Sequence, residues 1–249
     1  MDENKLDKLN KLGELRKLSG YEAAKFIKNG FVVGLGTGRN AKCFIDALAE
    51  RINAENLNIV CVPTSNESEK YALEKGLKIK HLNDILNECR FLDIAVDGAD
   101  QVADDFSLLK GYGGALTREK VIAKTAKKFV CVVDETKISE TGNLNKQVPV
   151  EVIPFAVNYV KTVLKEKYNA TCEIMNKKKE GNVSKDEILR TDNGNFIILA
   201  DFREISNPEE LEDELNLISG VVENGIFAKR KPDMVIVGRE EKVEILERK

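Results

Sequence analysis

Leu92-Asp93-Ile94-Ala95-Val96-Asp97-Gly98-Ala99-Asp100 opens as an apolar run of strand length and breaks into two carboxylates around a glycine. Shortly after it, Leu109-Lys110-Gly111-Tyr112-Gly113-Gly114-Ala115-Leu116-Thr117-Arg118-Glu119-Lys120 carries a lysine into a glycine-rich turn, then into a helical pattern whose first turn holds Glu119. A short apolar run bounded by turn residues reads as a buried strand. Acids, an amine and bare backbone amides therefore collect where a strand ends and a helix begins. In open α/β sheets that is where ligands bind.

Working outward, the same rhythm recurs. Leu6, Leu9, Leu12, Leu15, Leu18 and Ala23 to Ile27 stand at helical spacing and predict one or two helices, stopped by Asn29-Gly30. Phe31 to Leu35 reads as strand, Gly36 to Asn40 as turn and Ala41 to Arg51 as helix. Leu57 to Val62 is expected as strand, Pro63 to Asn66 as turn and cap, Glu67 to Lys75 as helix, and Leu77 to Ile79 as a brief extended piece. Phe91 to Val96 strand, Ala115 to Lys127 helix and Phe129 to Val133 strand complete the series. Such alternation defines an α/β fold with a mostly parallel sheet covered by helices. Near Val148-Pro149-Val150 the pattern changes, with extended segments at 150–153 and 170–175, a helix over 155–165 and a lysine-rich loop from Lys177 to Lys185. Thr191-Asp192-Asn193-Gly194-Asn195 reads as a turn into the strand Phe196 to Ala200, and Pro208 to Leu217 as a helix with an acidic first turn. The expected division is a sheet domain of residues 1–147 plus 221–249 and a small α+β domain at 148–220. The sheet should resume after Val221, with Met234 to Gly238 as a late strand.

Composition narrows the class. The 249 residues are 42% apolar, enough for a core, and their net charge of −3 gives no basic excess of the kind nucleic-acid binding uses. The five cysteines form no CxxC pair, and Cys43, Cys61 and Cys131 sit in apolar patterns as small core residues. An unpaired set suits a reducing cytoplasm. No run reaches membrane-spanning length, so no membrane partner is expected, and the charge balance gives no expectation of a nucleic-acid partner.

In Gly34-Leu35-Gly36-Thr37-Gly38-Arg39-Asn40, glycines between strand and helix let backbone amides meet an anion. A dinucleotide fingerprint would need glycine where Arg39 stands and an acid after the second strand, which instead runs into Pro63-Thr64-Ser65. One phosphate, wrapped by Thr37, Gly38, Arg39 and Asn40, fits better; a mere tight turn is the plainer alternative. Asp97 and Asp100 could hold Mg²⁺ or simply make a turn, and the nearby Lys110 competes with a metal. His81 is the single histidine, read as a surface or helix-capping residue, which leaves acid–base chemistry to Asp, Glu and Lys. Glu119 is ordinary as a first-turn residue, yet beside glycine amides it is placed to take a proton from carbon while those amides hold the oxyanion. Lys137, in Val133-Asp134-Glu135-Thr136-Lys137, could reach a phosphate or remain solvated.

Together with Pro149-Val150-Glu151-Val152-Ile153-Pro154-Phe155-Ala156 and Thr191 to Asn195, these motifs stand in an order that resembles the type A ribose-5-phosphate isomerases. The resemblance implies a Rossmann-like domain with an inserted α+β domain. It also implies cofactor- and metal-free aldose–ketose isomerisation of a sugar phosphate, and a homo-oligomer, dimer or tetramer. By motif, Glu119 corresponds to the base that moves a proton between carbons 2 and 1 through a cis-enediolate. Asp97, Asp100 and Lys110 correspond to groups that open the ring and shuttle protons. Gly98, Ala99, Gly111, Tyr112 and Gly113 line the substrate, and Lys137 with residues 37–40 grips the phosphate. Arg39-Asn40 replaces the family's usual Ser-Thr, and Tyr112 interrupts its glycine run. Two other readings remain: a sugar-phosphate sensor without turnover, and a different enzyme of similar fold such as a sugar-phosphate deaminase or acyl-CoA transferase.

Overall fold

The computed structural model describes residues 3–88, 90–179, 182–240 and 242–248, so Cys89 lies outside the described residues. In chain order the elements begin α1 (Glu3–Ala24), β1 (Val32–Leu35), α2 (Arg39–Glu55), β2 (Val60–Pro63), α3 (Asn66–Glu74), α4 (Leu82–Asn87) and β3 (Leu92–Asp97). They continue with β4 (Gln101–Val102), β5 (Leu108–Leu109), α5 (Leu116–Thr125), β6 (Ala126–Asp134), β7 (Val148–Val152), α6 (Val157–Tyr168), β8 (Thr171–Ile174), β9 (Asn176–Lys179) and β10 (Asn182–Ile188). The last are β11 (Phe196–Asp201), α7 (Pro208–Asn216), β12 (Val221–Asn224), β13 (Ile226–Phe227), β14 (Met234–Gly238) and β15 (Val243–Glu247).

Two compact units result. The first takes the described residues of Met1–Ala99, Arg118–Ile138 and Pro232–Lys249, and the second takes Asp100–Thr117 and Ser139–Lys231. The first holds a six-stranded sheet in the order β15-β14-β6-β3-β1-β2. Its strands run parallel except β15, which returns antiparallel to β14. From β1 the chain steps to β2 on one side and β3 on the other, so the order reverses between β1 and β3. At Val33 and Leu35 the sheet packs into a core with Phe44, Ile45 and Leu48 of α2. Gly34, between them, faces the other way, where an added Cβ would lie 2.6 Å from Ile122 of α5. Because neighbouring strand residues point to opposite faces, α2 and α5 cover opposite sides of this sheet.

In the second unit every sheet is antiparallel. β12-β7-β11-β8 forms one sheet and β13-β5-β4 another, while β9 and β10 make a hairpin. Val148, Val150 and Val152 of β7 pack with Val160 and Leu164 of α6, Ile198 of β11 and Leu215 of α7.

Several expectations change. The boundaries drawn at 147/148 and 220/221 differ from those of the compact units, because β12 pairs with β7 and β4 and β5 join β13. For the same reason the parallel sheet resumes only at β14, not after Val221. The expected loop at 177–185 is mostly hairpin, with Glu180 and Gly181 outside the described residues. Cys61 and Cys131 are buried as expected, but Cys43 is half-buried. His81 occupies the position before α4 and makes no side-chain cap bond. No helix among the described residues is long and apolar enough to cross a membrane.

Candidate active site

In the first unit, the reversal between β1 and β3 is built around the Asp97 carboxylate. Its Oδ1 accepts the backbone N–H of Thr37 at 3.1 Å and that of Gly98 at 2.7 Å. A Cβ on Gly36 would lie 2.1 Å from that same oxygen, so the middle glycine of the motif makes room for Asp97. Gly38 has φ +98°, a backbone conformation that glycine adopts without strain, and it starts α2 with no side-chain cap. The first amides of a helix have no intrahelical partner, so the start of α2 offers uncapped donors to an anion.

The Thr37 side chain ties this loop to the one after β2. Its Oγ1 donates to Ser65 Oγ at 2.8 Å and stands 2.7 Å from Thr64 Oγ1 and 3.1 Å from Ser68 Oγ. A hydroxyl has one proton and two lone pairs, so Thr37 Oγ1 is fully engaged in holding the β1 and β2 turns together. Ser65 also caps α3, accepting the Ser68 N–H at 3.0 Å, as the Pro63 to Asn66 turn predicts. The donors left to a ligand sit on its neighbours. Asn40 is 8% exposed, and its Nδ2 has no acceptor among the described residues. Its Cβ would be 3.5 Å from a Cβ placed on Gly98, which puts Asn40 beside the Asp97 loop. Arg39 is exposed, and no carboxylate pairs with it among the described residues.

Lys137 ends a short 3-10 turn, Glu135–Lys137, directly after β6. Asp134 caps the turn by accepting the Thr136 N–H at 3.2 Å, and Arg16 Nε binds its other oxygen at 3.0 Å. Glu119 lies in the first turn of α5 and is 4% exposed. A carboxylate there is favoured by the helix dipole and shielded from water.

In the second unit, Asp100 and the Lys110–Tyr112 turn are bound together. Asp100 N–H donates to Leu109 O at 2.7 Å, and Tyr112 N–H donates to Asp100 Oδ2 at 3.0 Å. Lys110 is buried, with its ammonium 5.5 Å from the centre of the Phe227 ring. Its N–H donates to Gly225 O, and a Cβ on Gly225 would lie 2.1 Å from Lys110 O, so backbone meets backbone closely there. Gly111 and Gly114 have positive φ, whereas Tyr112 does not, which explains why a side chain is tolerated inside the glycine run. Tyr112 packs beside Leu116, Met175 and Ile197, and its hydroxyl donates to Gln147 O at 3.0 Å. Burial, then the Asp100 charge, pushes its phenol up to about 12. Gly113 is exposed.

Sequence reasoning missed Gly225, Phe227 and Lys146, whose Nζ donates to Asp100 O at 2.9 Å. They come from segments distant in the chain, and only the pairing of β5 with β13 could point to the first two. Among the described residues no three His, Cys, Asp or Glu side chains gather as metal ligands would.

An open α/β sheet with a fixed carboxylate and uncapped amides at its strand-order reversal defines a doubly wound protein built to bind a small anionic ligand. The family model for ribose 5-phosphate isomerase A (phosphoriboisomerase A) matches residues 60–242. Ribose-5-phosphate isomerase A of Methanococcus aeolicus is 46% identical over 228 residues, covering 91% of this chain and 92% of that protein. The solved ribose 5-phosphate isomerase A of Methanocaldococcus jannaschii is 38% identical with a TM-score of 0.85, over 94% of this chain and 99% of that one. A D-ribose-5-phosphate isomerase solved in complex with phospho-erythronic acid is 42% identical with a TM-score of 0.87, over 95% and 99% of the two chains. The chain belongs to the ribose 5-phosphate isomerase A family.

Proposed function

We propose that the protein interconverts D-ribose 5-phosphate and D-ribulose 5-phosphate through a cis-enediolate, in the non-oxidative pentose phosphate route. The observation that carries this reading is Glu119, a carboxylate buried in the first turn of α5 directly after the glycine turn. In the aldose-to-ketose direction Glu119 takes the proton from carbon 2, and the carbonyl bond moves its electrons onto O1. The same carboxyl then returns the proton to carbon 1 as O2 becomes the carbonyl. The proton balance between O1 and O2 falls to Asp97, Asp100 and Lys110, which also help the sugar ring open. Phosphate is held by Arg39, Asn40, the first amides of α2 and Lys137, a guanidinium being well suited to two parallel bonds to phosphate oxygens. Gly98, Ala99 and Gly111 to Gly113 line the sugar. The phospho-erythronic acid bound by the similar isomerase, a phosphorylated sugar acid, is consistent with such a site.

The test is a coupled assay of ribulose 5-phosphate formation with EDTA present, run beside Glu119→Gln. Turnover in EDTA that vanishes in the variant is expected. Binding of ribose 5-phosphate without turnover would favour the sensor reading, and a need for added metal would overturn the roles given to Asp97 and Asp100. We further propose a cytoplasmic homo-oligomer. Phe155 is 98% exposed, and Ile153 and Val222 are also exposed. Val222 lies on β12, and Ile153 and the 3-10 turn holding Phe155 follow directly after β7, with which β12 pairs.

A further inference from the structure

Glu151, on β7, is a fully buried carboxylate outside the roles assigned above. Its Oε2 accepts from Thr117 Oγ1 at 2.5 Å, and its Oε1 accepts from Thr191 Oγ1 at 2.9 Å, Asn193 Nδ2 at 3.1 Å and Asn195 Nδ2 at 2.9 Å. All of these partners are neutral. A carboxyl group buried so completely among neutral donors adds little to the stability of a fold, because its desolvation offsets most of what its hydrogen bonds return. The arrangement is nevertheless closed and specific. The Thr191 to Asn195 turn folds on itself, with Thr191 N–H donating to Asn195 O and Gly194 N–H to Thr191 O, so three of its side chains converge on one oxygen. The other oxygen is left to Thr117, the second residue of α5 and two residues before Glu119. Leu116, next to Thr117, is itself fixed by packing with Met175 and Ile197.

We propose that Glu151 and the Thr191–Asn195 turn form a clamp whose task is to fix the first turn of α5, and that Thr117 and Glu151 are positioning residues for Glu119. The inference rests on the reading of Glu119 as the base. A carboxylate that must reach a carbon-bound proton needs its helix start held to a fraction of an ångström, and an Oγ1–carboxylate bond at the second helical residue supplies that restraint. Neither residue is among those proposed to line the sugar or grip the phosphate. The clamp acts on rate, not on phosphate affinity.

The test compares Thr117→Val, Thr117→Ser and Glu151→Gln for kcat, KM for ribose 5-phosphate and melting temperature. Valine keeps the shape of threonine without its hydroxyl, and the melting temperature separates a loss of rate from a loss of fold. Thr117→Val is expected to lower kcat by about tenfold or more, in line with the sensitivity of rate to small misplacements. Its KM should stay within about twofold, as for loss of an interaction that matters only at the transition state. Thr117→Ser, which keeps the hydroxyl, should restore kcat. Wild-type kcat in Thr117→Val, or failure of serine to rescue it, overturns the clamp. Glu119→Gln in the same assay separates the two ideas. If it is inactive while Thr117→Val is fully active, only the clamp falls; if it is active, the base assignment itself falls.

Discussion

At Gly36 the smallest side-chain change has a defined chemical target. The Cβ of an alanine would overlap Asp97 Oδ1 at 2.1 Å and drive the carboxylate off the Thr37 and Gly98 amides. Gly36→Ala is therefore expected to lower kcat by about a hundredfold, the scale of a small misplacement of a catalytic group. Its far-UV circular dichroism should match the parent; undiminished turnover would show that Asp97 works without its amides. The three glycines of Gly34-Leu35-Gly36-Thr37-Gly38 turn out to serve three ends: helix packing on the sheet, space for Asp97, and a positive φ before α2. The sequence pattern reads as an anion loop, and Gly38, Arg39 and Asn40 are the residues of it proposed to meet the phosphate. It could not announce that Thr37 faces Thr64, Ser65 and Ser68, because side-chain direction depends on how the β1 and β2 turns meet.

Among the elements, the turn after β6 is tied to α1 by a buried ion pair, beside the apolar packing of Ala23 and Ala24 with Val130 and Val132. Arg16 binds Asp134 at 3.0 Å with side chains 9% and 0% exposed, and Asp134 also caps the turn that ends in Lys137. Removing one partner leaves the other charged and buried. Arg16→Ala should accordingly lose about 3–5 kcal/mol of unfolding free energy in urea, the usual penalty for half of a buried pair. A loss below ~1 kcal/mol, typical of exposed pairs, would mean that water reaches Asp134. Long periodic elements such as α2, β3 and β6 were legible from residue spacing. The two-residue strands β4, β5 and β13 were not, since two residues carry no period and β13 joins β5 from more than a hundred positions further along the chain. The β9–β10 hairpin was hidden for another reason: Lys177, Lys178 and Lys179 read as solvated loop, although Lys177 pairs with Glu187 across the hairpin.

For the whole molecule, the apolar surface of the second unit bears on assembly. β12 is an edge strand of its sheet, and unpaired edges with exposed apolar neighbours invite another chain. For the proposed homo-oligomer, Phe155→Lys should thus yield a smaller species than the parent in sedimentation equilibrium, with the same fold by circular dichroism. An unchanged mass would overturn the proposal that this face joins subunits. The parallel sheet of the first unit has a different exposed side, in time instead of space. β14, which lies between β6 and β15, is made of residues 234–238, whereas β6 ends at Asp134. A ribosome adding about 5–20 residues per second needs on the order of ten seconds to cover that gap. Throughout it β6, with Val130, Cys131, Val132 and Val133 along it, is a bare sheet edge in the nascent chain. Until its last strands emerge, the growing polypeptide offers that edge to any other chain.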